Sequence, residues 1–220
     1  MHHKSIVLIS LIFALNSIWS CTSDKRVDKE SVKQELENRE IKKITEAEIV
    51  TKVHEIGNSI ALNTKKTLGK NLQKALQEGG VENAISFCNI NALPLVDSLN
   101  KHYNAKIKRV TLKARNPNNL PSSAEKELLE AYAFQWADSI PLQTNVQVIE
   151  ENTYLFTKAI LIDNALCLHC HGGMENGLSK ETADFIKSKY PSDSATGYDL
   201  GDLRGMWSIT IPKKVVVQSM

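Results

Sequence analysis

Cys167-Leu168-His169-Cys170-His171, followed directly by Gly172-Gly173, is the stretch around which this chain is organised. Two thiols three residues apart on one turn straddle one edge of a porphyrin and bond to its two vinyl groups. The imidazole that follows turns over the face of the ring and reaches the iron. The pentapeptide therefore predicts one covalent haem c, attached through Cys167 and Cys170 with His171 as an axial iron ligand. Attachment of this kind belongs to exported proteins, so the motif calls for an export signal and for a pocket.

The signal stands at the start of the 220 residues. His2, His3 and Lys4 form a short polar opening, and Ile6 to Leu15 is apolar apart from Ser10. That run is too short for a membrane-spanning helix. Ile18-Trp19-Ser20-Cys21 resembles a bacterial lipobox, which makes residues 1–20 a lipoprotein signal peptide and Cys21 the lipidation site. Two or more acyl chains anchor a protein stably. An ordinary secretory signal with a nearby cysteine is the plainer alternative. The residue after Cys21 is not aspartate, which favours the outer membrane over the cytoplasmic one, with the chain on the periplasmic side. Lys4 is the one charged residue in the first 20, and 27 basic against 25 acidic groups overall leave the chain near neutrality. That balance argues against a nucleic-acid surface.

Residues 21–31 read as a polar tether. From Val32 to about residue 78 the pattern is helical: Ile49, Val53, Ile56 and Ile60 recur at helical spacing, and Leu68, Leu72 and Leu76 continue it. One long helix, or two with a bend near Asn58 to Asn63, is expected to end at Gly79-Gly80. Val81 to Leu99 forms a second helical segment with Pro94 as a kink. Its inward stripe includes Cys88, the cysteine left over once Cys21, Cys167 and Cys170 have roles. By pattern alone a buried cysteine is most often a small hydrophobe.

Ala105 to Ala114 reads as a strand with a phase break near Val110, for which a bulge is one cause. Ser122 and Glu125 form a capping box opening a helix through Leu128, Leu129, Tyr132 and Trp136. Strands follow at Val146 to Ile149 and Tyr154 to Ile162, the second running into the haem motif. Ser179 caps a short helix ending at Tyr190-Pro191, and Met206 to Ile211 is a final strand. Short strands mixed with helices, without regular alternation, indicate an α+β fold. Haem propionates need cationic partners, and Arg109, Arg115 and Arg204 are the residues placed to serve; each reads equally well as a surface charge. Trp136, Phe156, Tyr198 and Trp207 line an apolar pocket or simply fill the core.

Three pieces in this order carry a resemblance over residues 70 to 214. They are Gly80-Val81-Glu82-Asn83-Ala84-Ile85-Ser86-Phe87-Cys88-Asn89, Leu112 through Arg115-Asn116-Pro117-Asn118-Asn119, and Leu166 through Gly172 continuing to Tyr190-Pro191-Ser192-Asp193-Ser194-Ala195-Thr196-Gly197-Tyr198 and Gly201-Asp202-Leu203-Arg204-Gly205. Together they resemble the Tll0287-like, or DUF3365, family of single-haem c-type proteins. The resemblance implies a PAS-like antiparallel sheet wrapped by helices over residues 79–214, after a helical region 32–78 and before a tail 215–220. It also implies that Cys88 is the second axial ligand, opposite His171. Family members are regarded as redox or gas sensors, so a redox partner protein, a small gas or a second copy of the chain is the expected partner, and turnover of a substrate is not expected. Three other chemistries compete. They are low-potential electron transfer, a dithiol oxidoreductase built on Cys167 and Cys170, and a zinc module drawn from Cys88, Cys167, Cys170 and a neighbouring histidine.

Overall fold

The computed structural model describes residues 28–38 and 43–220. The expected signal segment and the lipidation site Cys21 lie outside the described residues. The chain divides into two compact units, Met1–Lys43 and Ile44–Met220. The first contributes helix α1 (Lys29–Asn38), polar and exposed over residues 29–36.

The second unit is α+β. Strands β1 (Lys106–Val110), β2 (Asn145–Glu150), β3 (Thr153–Leu161) and β4 (Leu203–Pro212) form one antiparallel sheet in the order β1-β4-β3-β2. The two central strands carry the apolar runs that burial on both faces requires. Phe156, Met206, Ile209 and Ile211 have no exposed surface. Helices cover the sheet on both sides, consistent with a PAS-like topology.

Helix α2 (Glu46–Ile90) crosses one face. Thr45 opens it with a capping box: its hydroxyl accepts from the Glu48 amide at 3.3 Å, and the Glu48 carboxylate accepts from the Thr45 amide at 2.8 Å. Ile49, Val53, Ile60 and Leu68 form the stripe that packs on Tyr154, Phe156, Ile209 and Ile211. Gly57 lies where a Cβ would stand 2.2 Å from the Phe156 ring, so the ring nests against bare backbone. No break occurs at Asn58 to Asn63; helical geometry ends at Gly79-Gly80, as the sequence predicts, and a kink there joins it to the next helical run. Gly80 has φ 68° and ψ −162°, which glycine alone adopts without strain. The Asn83 side chain donates to the Ala75 carbonyl across the kink at 2.8 Å. The Gly-Gly pair thus ends one helical run and redirects the chain into a second, which reaches Ile90.

Helix α3 (Ala92–Tyr103) restarts after Asn91, which puts Pro94 in the first turn. Amides there have no partner within the helix, so proline costs nothing and produces no kink. Strand β1 is shorter than its sequence suggested. It stops at Val110, where the Lys113 amide turns back to the Thr111 hydroxyl at 3.2 Å. The phase break at Val110 is a strand end, not a bulge.

Helix α4 (Ser123–Ala137) covers the opposite face, with Leu129 and Tyr132 packed on Val110 and Met206. The Ser122–Glu125 capping box is present. Glu125 is 7 % exposed and also accepts from Lys108 Nζ at 2.8 Å and Ser208 Oγ at 2.7 Å, which ties the helix to β1 and β4. Trp136 stays outside the core at 43 % exposure, its indole donating to the Gly201 carbonyl at 3.0 Å. Helices α5 (Leu168–His171), α6 (Lys180–Lys189, capped by Ser179) and α7 (Lys213–Val217) complete the fold. Among the described residues no helix is long and apolar enough to cross a membrane.

Candidate functional site

The site begins where β3 ends. Asn164 caps a single 3-10 turn, Ala165–Cys167, by accepting from the Leu166 amide at 2.8 Å. That turn passes directly into α5, so Cys167 and Cys170 fall three residues apart on one helical face with His171 next in line. Backbone bonds then lock the motif to the segment before β4. Gly197 N donates to Gly172 O and Tyr198 N to His171 O, each at 3.0 Å.

The orientation of His171 is defined. Its Nδ1 lies 2.8 Å from the Ala195 carbonyl, which can only accept, so Nδ1 carries the proton and Nε2 keeps its lone pair. Burial, reinforced by the positive charges of Arg204 and Arg115, holds the ring well below the usual histidine range and therefore neutral. Tyr198 packs edge-on against it, centroids 6.4 Å apart. A neutral imidazole with one nitrogen anchored is the arrangement in which the other nitrogen is a metal ligand.

Three cavities meet at this ring. The first, about 190 Å³, is walled by Arg109, Arg204, Asn119, Lys65 and Cys167. The second, about 170 Å³, is apolar, with Leu72, Leu76, Ala84, Ile85 and Leu166 beside Cys88, Cys167 and Cys170. The third, about 90 Å³, joins Cys88 to Arg109, Arg204 and Asn116. His171 lines each of them. The kink at Gly80 is what carries Ala84, Ile85 and Cys88 into this space.

Burial raises the thiols of Cys88, Cys167 and Cys170 above the ordinary cysteine value; for Cys88 the charges of Arg109 and Arg115 work the other way. Among the described residues no three His, Cys, Asp or Glu side chains converge to hold a bare metal ion. A zinc module needs three or four protein ligands. A porphyrin supplies four nitrogens itself and asks the chain for one or two.

The three arginines behave differently. Arg109 sits on the β1 face shared with Ile107 and lines two cavities; burial lowers its pKa, and its closeness to Cys88 and Tyr190 works the other way. Arg204 donates through one terminal nitrogen to Thr111 Oγ1 at 2.9 Å and Lys113 O at 3.1 Å, while its Nε is buried with no partner. An orphaned guanidinium N–H beside a cavity is costly unless an anion completes it. Arg115, by contrast, is committed to protein. It forms a buried ion pair with Asp193, Nε to Oδ1 at 3.1 Å, and donates to Cys170 O at 2.5 Å.

Of the expected pocket aromatics only Tyr198 touches the site. Phe156 and Trp207 belong to the core between α2 and the sheet. The aliphatic wall of Leu72, Leu76, Ala84 and Ile85 was not predicted, although the four-residue spacing of Leu72 and Leu76 was visible. Tyr190, which lines both cavities shared with Cys88, reads in the sequence only as a helix end. No pattern in the sequence pointed to Asp193 and Ala195 as supports of the histidine, because their role depends on loop conformation.

The family model described as Tll0287-like matches residues 26–212. Among solved structures, the crystal structure of the cyanobacterial heme-protein Tll0287 is 26 % identical, covering 70 % of this chain and 95 % of that one at a TM-score of 0.46. No curated protein matches the sequence.

Proposed function

The chain belongs to the Tll0287-like family, and on that premise we propose that it is a covalent c-type haem protein serving as a redox or small-gas sensor. Its place is the periplasmic side of a membrane, held by lipid on Cys21. One observation carries the proposal: the unprotonated Nε2 of His171 faces cavities that Cys167, Cys170 and Cys88 also line.

The residues fit a haem. Cys167 and Cys170 would hold the porphyrin edge by thioether bonds, and His171 and Cys88 would be the axial ligands. The aliphatic wall of Leu72, Leu76, Ala84 and Ile85 suits the apolar part of the ring. Arg109 and the orphaned Nε of Arg204 suit the propionates. Haem in such a site supplies one-electron redox change and an iron centre at which a small gas competes with a protein ligand. The chain's own contribution is to orient the imidazole, bury the thiol and exclude bulk water.

Sensing is tested by titrating the reduced, lipid-anchored protein with CO and NO while following the absorption spectrum. A sensor binds the gas with loss of a protein ligand. A protein whose spectrum is unmoved by either gas, yet which exchanges electrons rapidly with a small redox partner, is an electron carrier.

A further inference from the structure

Arg115 entered as one of three arginines suited to the haem carboxylates, but its contacts describe another task. Its Nε and one terminal nitrogen face the two oxygens of Asp193 at 3.1 and 3.2 Å, a forked pair with 11 % and 9 % side-chain exposure. The same terminal nitrogen reaches the Ala195 carbonyl at 3.4 Å and the Cys170 carbonyl at 2.5 Å. Asp193 Oδ1 in turn accepts from the Ala195 amide at 3.0 Å. The Ala195 residue is therefore gripped at both ends, amide by Asp193 and carbonyl by Arg115. That carbonyl is the acceptor for His171 Nδ1 at 2.8 Å. Ala195 has no exposed surface, so no water replaces these partners. Ser194 extends the hold, its amide and hydroxyl both donating to Ala114 O, at 3.1 and 3.0 Å.

We infer that Arg115 and Asp193 are positioning residues for His171: together they fix the Ala195 carbonyl against Nδ1 and the Cys170 carbonyl beside the imidazole, and so set the ring's tautomer and the direction of Nε2. The inference deepens the proposed function, in which His171 is the axial ligand. The pair spans one residue before the motif's histidine and a loop twenty-four residues after it, so a single ion pair joins the ligand to its acceptor. Arginine is required because its planar fork engages Asp193 and two carbonyls at once; a lysine ammonium keeps the charge and loses the fork. All three arginines line the cavities, and Arg109 and Arg204, which unlike Arg115 have no carboxylate partner among the described residues, are left for the propionates.

The experiment uses the full chain, labelled with 15N-histidine and held reduced, and measures solvent exchange of the His171 Nδ1 proton by NMR. Reduction potential is the second readout. Asp193→Asn speeds exchange tenfold or more and raises the potential, because a loosened Nδ1–H···O bond leaves a poorer donor at Nε2. Arg115→Lys gives a smaller change in the same direction. Lys126→Met is the control, since Lys126 is an exposed side chain on α4 whose ion-pair partner is Glu130, at 3.6 Å; it leaves both readouts at wild type. Unchanged exchange in Asp193→Asn overturns the inference, and so does equal acceleration in Lys126→Met. If Asp193→Asn does not fold, Arg115→Lys against Lys126→Met decides. A wild-type chain without covalent haem refutes the proposed function instead, and the exchange comparison still decides the pair, because the His171–Ala195 bond needs no iron.

Discussion

His171 Nδ1 donates to the Ala195 carbonyl at 2.8 Å, a bond that joins the last residue of the Cys-x-x-Cys-His motif to the loop leading into β4. The bond fixes which nitrogen of the ring faces the cavities. It also explains why the motif is followed so closely by Gly197 and Tyr198 in space, their amides bonded to Gly172 and His171. A one-turn helix has little stability of its own. Held on both sides, the turn presents Cys167, Cys170 and His171 as a rigid set.

The role given to Cys88 predicts a separation of attachment from ligation. Cys88→Ser still acquires haem, since Cys167 and Cys170 do the attaching, but loss of an anionic ligand raises the reduction potential by on the order of 100 mV. Electron paramagnetic resonance of the ferric protein checks this. The wild type gives a low-spin signal with the narrow g-spread of histidine–thiolate ligation, and the variant does not. An identical spectrum in both makes Cys88 a packing residue.

Glu125 predicts an acid-labile contribution to stability. Burial pushes its carboxyl up, but hydrogen bonds from Lys108, Ser122 and Ser208 outweigh that and leave it at about 2, below the ordinary 4.5. A depressed carboxyl stabilises the fold fully above its unfolded value and loses that contribution as pH falls through its folded one. Glu125→Gln is therefore less stable than wild type by about 2 kcal/mol at pH 7, and the gap closes between about pH 4.5 and 2. Denaturant unfolding of both proteins across that range measures it.

Gly57 predicts a steric penalty far from the haem. A methyl group there meets the Phe156 ring at 2.2 Å, with no solvent side into which the ring can move, Phe156 being fully buried. Gly57→Ala lowers stability by about 1–3 kcal/mol despite alanine's better helix propensity. Thermal unfolding gives the answer, and a rise in midpoint contradicts the packing described.

The lipid anchor is tested apart from the fold. Cys21→Ser releases the protein from the membrane fraction and leaves the haem spectrum unchanged. Intact mass of the membrane-extracted wild type shows acyl chains on an N-terminal cysteine; a different N-terminus without acyl mass rules the anchor out.

Much of this architecture was legible because it rests on local chemistry. The Ser122–Glu125 and Ser179 caps, the Tyr154–Ile162 strand and the Ile49–Val53–Ile60 stripe are set by residues a turn or two apart. Gly79-Gly80 reads as a stop, and both glycines leave helical geometry there, with the Asn83–Ala75 bond bridging the kink. Pro94 reads as a kink inside one helix, whereas the chain breaks three residues earlier at Asn91 and Pro94 falls in the first turn of a new helix. In the site, the residues of the pentapeptide could be named from spacing alone. The division among the arginines could not, because the partners that set Arg115 apart, Asp193 and the Cys170 and Ala195 carbonyls, lie 55 to 80 positions away.

The central claim is covalent haem on Cys167 and Cys170, and haem staining after denaturing electrophoresis tests it most directly. The account predicts that the periplasmically matured wild type keeps its colour on the polypeptide through denaturation and acid–ketone extraction. Cys167→Ala and Cys170→Ala lose or weaken the stained band. A wild-type chain that gives up all of its haem to acid–ketone, or that stains no more than the double Cys167→Ala, Cys170→Ala variant, contradicts the account.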